Sequence, residues 1–203
     1  FLSFTRGVWI SLTVASFVML FLYSKRFAIL FSLVMGSLFF VAYNHIPAVN
    51  ERVRYALEGG DTERVWIWKA NLEMFKDNPV LGVGYGENIG LLSKYYEKLN
   101  VPKNEVQMMA THAHNQYLHM LSGTGIVGFL IYMAIQIYFL LLAYRVFRAT
   151  SSRDVFVYGL ALGLIGAQVA FWVGGLTEAN LEHSKMKHML LLTWALTVWL
   201  GYD

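Results

Sequence analysis

The chain has 203 residues, 57% of them hydrophobic and only 14% charged. A soluble domain carries roughly 25% charged residues, so an ordinary water-soluble globule is excluded and lipid is implied. The net charge of +3 does not signal nucleic acid, because no basic cluster or RNA-binding signature occurs, and the absence of Cys rules out disulfide and thiolate chemistry.

The apolar residues gather into runs near 7–23, 27–43, 126–144, 155–175 and 188–201, none of which holds Lys, Arg, Asp or Glu. The first four reach or approach the ~20 residues that cross a bilayer, and the last is marginal. The expected fold is therefore all-α, a polytopic helical membrane protein with five spans. Lys25 and Arg26 separate the first two runs, and Arg145, Arg148 and Arg153 separate the third and fourth. Basic residues concentrate in cytoplasmic loops, which puts both short connections inside and leaves 44–124 and a segment near 176–187 outside. The predicted organisation is two spans over 1–43, a large helical outer loop carrying the site over 44–124, and three spans over 125–203. Phe1 reads as the outer end of a span, so the chain is expected to be the C-terminal portion of a longer protein. No span carries an interior charge, which argues against an ion channel or proton-coupled transporter.

Within the outer loop, Asn44-His45-Ile46-Pro47 ends the second span. An amphipathic helix is predicted from Thr62 to Lys76, capped by Asp61 or Thr62 and stopped by Asp77-Asn78-Pro79. Lys69, Glu73 and Lys76 share one face with Thr62, while Val65, Trp68, Leu72 and Phe75 form the apolar face. Arg64 falls on the apolar side, beside Trp68 and Asn71. It reads either as an Arg reaching along apolar surface to lipid headgroups or as an inward-facing cation awaiting an anion. Leu81-Gly82-Val83-Gly84-Tyr85-Gly86 lacks the Lys-Ser/Thr and βαβ setting of a phosphate loop, so its glycines read as turns, with an anion cradle of backbone N–H groups as the alternative. Residues 87–110 read as a polar helix or loop ended by Val101-Pro102, a solvated cover.

The segment Thr111-His112-Ala113-His114-Asn115-Gln116-Tyr117-Leu118 places imidazoles at the end of the long polar stretch, just before an apolar run. If a helix runs from Asn115 and stops at Gly123, then His114, Tyr117, Leu118 and Leu121 share a face and His114 points inward at the helix N-terminus. The helix dipole and partial burial there favour a neutral imidazole able to accept a proton; a structural His bonded to a backbone carbonyl fits the same pattern. His112, His114, His119, His183 and His188 lie near the outer face with Glu178 and Glu182, but the i, i+4 spacing of a helical zinc site is missing, so no metal is expected. No G-x-S-x-G elbow and no Cys nucleophile supports acyl transfer. Glycines 123, 125 and 128, like 159, 163 and 166, read as points of close helix packing.

Three stretches, in order and over nearly the whole chain, resemble the C-terminal half of the O-antigen ligase/polymerase superfamily. They are Phe4-Thr5-Arg6-Gly7-Val8-Trp9, similar to the family's Ser-Arg-Gly-Ala-Trp with Thr5 in place of Ser; Arg64-Val-Trp-Ile-Trp68-Lys-Ala70 through Phe75-Lys-Asp77-Asn78-Pro79-Val-Leu-Gly82-Val-Gly84-Tyr-Gly86; and His112-Ala-His114-Asn115-Gln-Tyr117-Leu118 with Gly125-Ile-Val-Gly128. The resemblance implies an inverting, metal-independent and cofactor-free glycosyl transfer at the periplasmic side of a bacterial inner membrane, from an undecaprenyl-diphosphate-linked glycan. By position, His114 looks like the general base at the acceptor hydroxyl, and Arg6 and Arg64 like the cations on the donor diphosphate. His112 and Asn115 stand beside them at the substrate. Guanidinium groups stay charged and bind phosphate bidentately, so two of them can stand in for a metal at the leaving group. The favoured acceptor is lipid A-core. A polymerase acting on a lipid-linked repeat unit and a protein O-oligosaccharyltransferase are the alternatives within the family, and a non-catalytic binding or transport protein for lipid-linked glycans is the alternative outside it.

Overall fold

The computed structural model describes residues 6–57, 62–102, 112–150 and 154–202. Its described residues form eight α-helices, a 3-10 turn at Asn180–Glu182 and no strand. The helices are α1 (Arg6–Tyr23), α2 (Lys25–His45), α3 (Pro47–Leu57), α4 (Thr62–Asp77), α5 (Glu87–Lys98), α6 (Gln116–Ala149), α7 (Val155–Gly174) and α8 (Ser184–Tyr202). The fold is all-α, as expected.

Among the described residues, three helices, α2, α6 and α7, are long and apolar enough to cross a membrane. The other two expected spans are helical but fall short by that measure. The apolar part of α1, Gly7–Tyr23, is about 25 Å long at 1.5 Å per residue, against a hydrocarbon core of ~30 Å. Helix α8 opens on Ser184-Lys185-Met186-Lys187, and the two ammonium groups shorten its apolar stretch. Much of the spans' surface is bare hydrocarbon, including Leu33, Phe39 and Phe40 on α2, a surface stable against lipid and not against water.

α7 runs through the middle of the bundle, antiparallel to both α1 and α6. At one end Leu22 of α1, Val146 and Phe147 of α6, and Tyr158 and Ala161 of α7 share an apolar core. At the other end a Cβ on Gly7 of α1 would collide with Thr177, just past α7, and the Gln116 N–H donates to the Gly175 carbonyl at 2.7 Å. Lys25, Arg26, Arg145 and Arg148 therefore lie at the end of the bundle opposite the histidine segment. α8 is fixed on α6 by Trp194 stacking on Phe139, with ring centroids 4.5 Å apart and planes within 6°.

α4 and α5 form an outer layer over the start of α6. Ile67, Ala70 and Met74 of α4 pack with Leu92 and Tyr95 of α5 and with Ala113. This corrects the expected orientation of α4: Val65, Trp68 and Leu72 remain 43%, 36% and 42% exposed, while polar Asn71 is buried. Hydrogen bonds decide the rotation. Asn71 Oδ1 accepts from the Ser122 hydroxyl at 2.7 Å and from Asn88 Nδ2 at 3.2 Å, and its own Nδ2 donates to the Ile67 carbonyl at 2.9 Å. Small Ala70 lets α5 approach, so the buried face follows satisfied polar groups rather than hydropathy. Tyr95 and Lys98 close the layer by donating to the Asp77 carboxylate at 2.9 and 2.7 Å.

α6 is broken at Gly125, whose φ of 64° and ψ of −170° interrupt an otherwise continuous helix. The helix was expected to stop at Gly123; instead it bends two residues later and resumes. The interruption frees backbone groups, and the Pro79–Gly84 turn takes them up. Val83 and Gly84 N–H donate to the Ser122 and Gly123 carbonyls at 3.0 and 2.8 Å, while Ile126 and Val127 N–H donate to the Pro79 and Val80 carbonyls at 2.8 and 3.3 Å. This clasp fits only without side chains: Gly82 has φ 70°, and a Cβ there would stand 2.5 Å from the Gly123 backbone. It also takes the N–H groups of Gly82, Val83 and Gly84 out of any anion cradle, since they already bond to protein carbonyls.

Candidate functional site

The site is assembled at the entry to α6. Asn115 is the N-cap, extended at φ −160°, and its Oδ1 accepts from the Tyr117 and Leu118 N–H groups, both at 3.0 Å. Its Nδ2 donates to the Leu176 carbonyl at 3.3 Å, so both polar atoms of this expected substrate contact are engaged within the protein. His114 precedes the cap in the left-handed region, at φ 45°. It therefore does not share a helix face with Tyr117, Leu118 and Leu121; the extended cap turns the chain before the helix starts. A left-handed conformation costs a non-glycine residue about 1–2 kcal/mol, and strain of this kind clusters at working sites.

The turn aims His114 at the segment that follows α7. Its Nδ1 lies 3.2 Å from Glu178 Oε2. Arg64 Nη2 approaches Glu178 Oε1 to 3.9 Å, and His112 Nε2 stands 4.0 Å from Oε2. One carboxylate thus gathers three residues that the sequence singled out. The His114 N–H donates to His112 Nδ1 at 3.2 Å, and the two rings meet at a centroid distance of 4.2 Å with the His183 ring 5.8 Å beyond. Trp68 Nε1 donates to the Ala113 carbonyl at 3.0 Å, which ties Arg64's helix to the histidine segment. Burial, aided by repulsion from His114, pushes the His112 imidazole below its ordinary pKa and outweighs the attraction of Glu178.

Arg6 opens α1, and its side chain lies outside the described residues. Its neighbour Gly7 is pressed against Thr177, which holds the start of α1 next to Glu178. Between α1, α7 and α8 runs a cavity of about 590 Å³. Val8, Ala167, Phe171, Met189 and Leu190 make its wall apolar, while His112, Glu178 and His183 close its outer end.

A second imidazole–carboxylate pair sits deeper. His119 is fully buried, and its Nε2 lies 3.0 Å from Glu182 Oε1. Asn88 Nδ2 faces its Nδ1 at 3.0 Å and also reaches the Ser122 hydroxyl at 2.9 Å. Burial raises the Glu182 pKa, but the Tyr85 hydroxyl and His119 outweigh it and hold the carboxyl below its usual range. His119 is thus a buried histidine with a partner at each ring nitrogen.

Glu178, Glu182 and Asn88 were not singled out as site residues. The available signal was the i, i+4 pair of acids in a short outer connection, facing histidines spaced by five. His112, His114 and Glu178 each present one ligand atom, all within 4.8 Å of one another, and this is the set able to hold a divalent cation among the described residues.

The family model described as O-antigen ligase matches residues 1–133, well over half of the chain. The chain belongs to the O-antigen ligase family. It thereby joins a superfamily of ligases and polymerases, glycosyltransferase-like membrane proteins that handle glycans and lipid-linked substrates. No curated protein matches it. The match covers Arg6, Arg64, His112 and His114 and ends inside α6, so Glu178, which contacts Arg64 and His114, lies beyond the matched residues.

Proposed function

We propose that this O-antigen ligase-family chain transfers O-antigen glycan from undecaprenyl diphosphate to lipid A-core, by an inverting displacement without metal or cofactor, at the periplasmic face of the bacterial inner membrane. The reading is carried by one observation: an imidazole, a guanidinium and a carboxylate converge at the polar end of an apolar cavity. The cavity suits a polyprenyl chain and its outer end a diphosphate. Arg64 and Arg6 hold that diphosphate, while His114 takes the proton from the acceptor hydroxyl as its oxygen attacks the anomeric carbon. The carbon–oxygen bond to the diphosphate breaks on the opposite face, the electron pair leaving with the phosphate, and a single displacement inverts the centre. Fixed cations stabilise the charge that develops there, and positioning supplies much of the remaining acceleration. His112 and Asn115 keep the histidine segment in place at the substrate.

The direct test is reconstitution of the full-length protein in liposomes with an undecaprenyl-diphosphate-linked glycan and lipid A-core. Glycan transfer is expected, at the same rate in excess chelator. Loss under chelation, restored by a divalent ion, would move His112, His114 and Glu178 to a metal role. Transfer to a lipid-linked repeat unit but not to core would identify a polymerase, and donor retention without transfer to either would identify a binding protein. Arg64→Lys keeps the charge but loses the planar fork, so kcat/KM is expected to fall at least about tenfold; wild-type turnover in that variant would remove Arg64 from the diphosphate site.

A further inference from the structure

We propose that Glu178 is the positioning residue of this site and that it fixes the tautomer of His114, opposite to that of His112. The inference rests on the reading of His114 as base and adds the group that prepares it. Hydrogen-bond bookkeeping assigns each proton. His112 Nδ1 lies 3.2 Å from the His114 backbone N–H, which can only donate, so Nδ1 is an acceptor and the neutral ring carries its proton on Nε2. That Nε2 faces Glu178 at 4.0 Å. His114 meets the same carboxylate oxygen through its other nitrogen, Nδ1, at 3.2 Å. Two lone pairs at that distance repel, and Arg64 at 3.9 Å keeps Glu178 as the acceptor. His114 therefore carries its proton on Nδ1 and leaves the Nε2 lone pair open for the acceptor hydroxyl.

The adjacent His119 makes the contrast. It faces Glu182 through Nε2 at 3.0 Å and Asn88 through Nδ1 at 3.0 Å, so neither nitrogen is left for a substrate. Both imidazole–carboxylate pairs are built on the connection after α7, yet only the Glu178 pair leaves a ring nitrogen open. The backbone supports this arrangement: the Glu178 N–H donates to the Gly174 carbonyl at 3.0 Å, and Thr177 is wedged against Gly7. The carboxylate's backbone is thus tied to α7 and α1, and through Asn115 and Gln116 also to the start of α6. Because Glu178 acts through the base, its loss is expected to fall on turnover more than on donor affinity.

Two measurements test it. Nitrogen-15 NMR of the full-length protein labelled at histidine, with single His→Asn variants assigning the signals, is expected to show His114 protonated on Nδ1 and His112 on Nε2. Finding His114 protonated on Nε2 would overturn the proposal, and this readout needs neither turnover nor a Glu178 variant. Glu178→Gln is then expected to lower kcat about 10²–10⁴-fold with donor KM within about threefold, and to mix the His114 tautomers. Glu178→Asp, which keeps the charge, is expected to recover at least about tenfold of that loss. Wild-type kcat in the Gln variant, or equal loss in both variants with the His114 tautomer unchanged, would also overturn it. Should His114 prove not to be the base, His114→Ala will stay active while the tautomers remain as assigned, so the two readings fail separately.

Discussion

His114→Ala is expected to lower glycan transfer about 10²–10⁴-fold, the usual contribution of a general base, while leaving the lipid-linked donor bound. The separation follows from the layout of the site. Arg64 lies on α4 and the apolar cavity between α1, α7 and α8, and neither depends on the His114 ring. The two quantities are measured apart, transfer by product formation in liposomes and donor affinity by retention of radiolabelled donor. Activity equal to the wild type would end the assignment of His114 as base. Loss of donor binding in parallel with loss of transfer would make it a binding residue instead.

A large effect on stability is expected from Gly82→Ala. A Cβ at this position would stand 2.5 Å from the backbone of Gly123 and would have to sit at φ 70°. The left-handed conformation costs about 1–2 kcal/mol, and the two hydrogen bonds from Val83 and Gly84 to α6 contribute about 0.5–1.5 kcal/mol each. A loss of about 2–5 kcal/mol follows, read as a lower midpoint of thermal unfolding in detergent and faster proteolysis of the outer layer. Gly90→Ala serves as the control, because a Cβ at Gly90 of α5 meets nothing within 4 Å. An unchanged midpoint for the Gly82 variant would show that the clasp does not hold the outer layer.

The helices were legible in sequence wherever apolar period and length agree, as in α2 and α7, and Lys25, Arg26, Arg145 and Arg148 lie at the end of the bundle away from the histidines. Arg64 was legible too: a cation on the apolar side of α4 stood out, and the structure gives it a carboxylate. What remained hidden depends on contacts distant in the chain. Glu178 joins His114 across 64 residues, and no local pattern announces that pairing. The orientation of α4 was misjudged because Asn71 is drawn inward by Ser122 and Asn88, partners on two other helices. His114 was placed on a helix because propensity does not show that the next residue, Asn115, spends its side chain on a cap and turns the chain beforehand. The break at Gly125 was read two residues early for a related reason: the Pro79–Gly84 turn, far back in the sequence, decides where α6 opens its backbone.

That break divides α6 mechanically. The clasp to the Pro79–Gly84 turn pins the backbone on both sides of Gly125, and the turns before it are also held by Gln116, which bonds Gly175 through its N–H and accepts from the Leu181 N–H through its side chain at 2.8 Å. The turns after it belong to the bundle. Spans tilt to match bilayer thickness, and an unbroken 34-residue rod would carry such tilt straight to His114. With the rod interrupted at a glycine and the break pinned by that clasp, the direction of the histidine segment is set by the end of α7 and by α4 and α5 rather than by the axis of the lipid-facing part of α6.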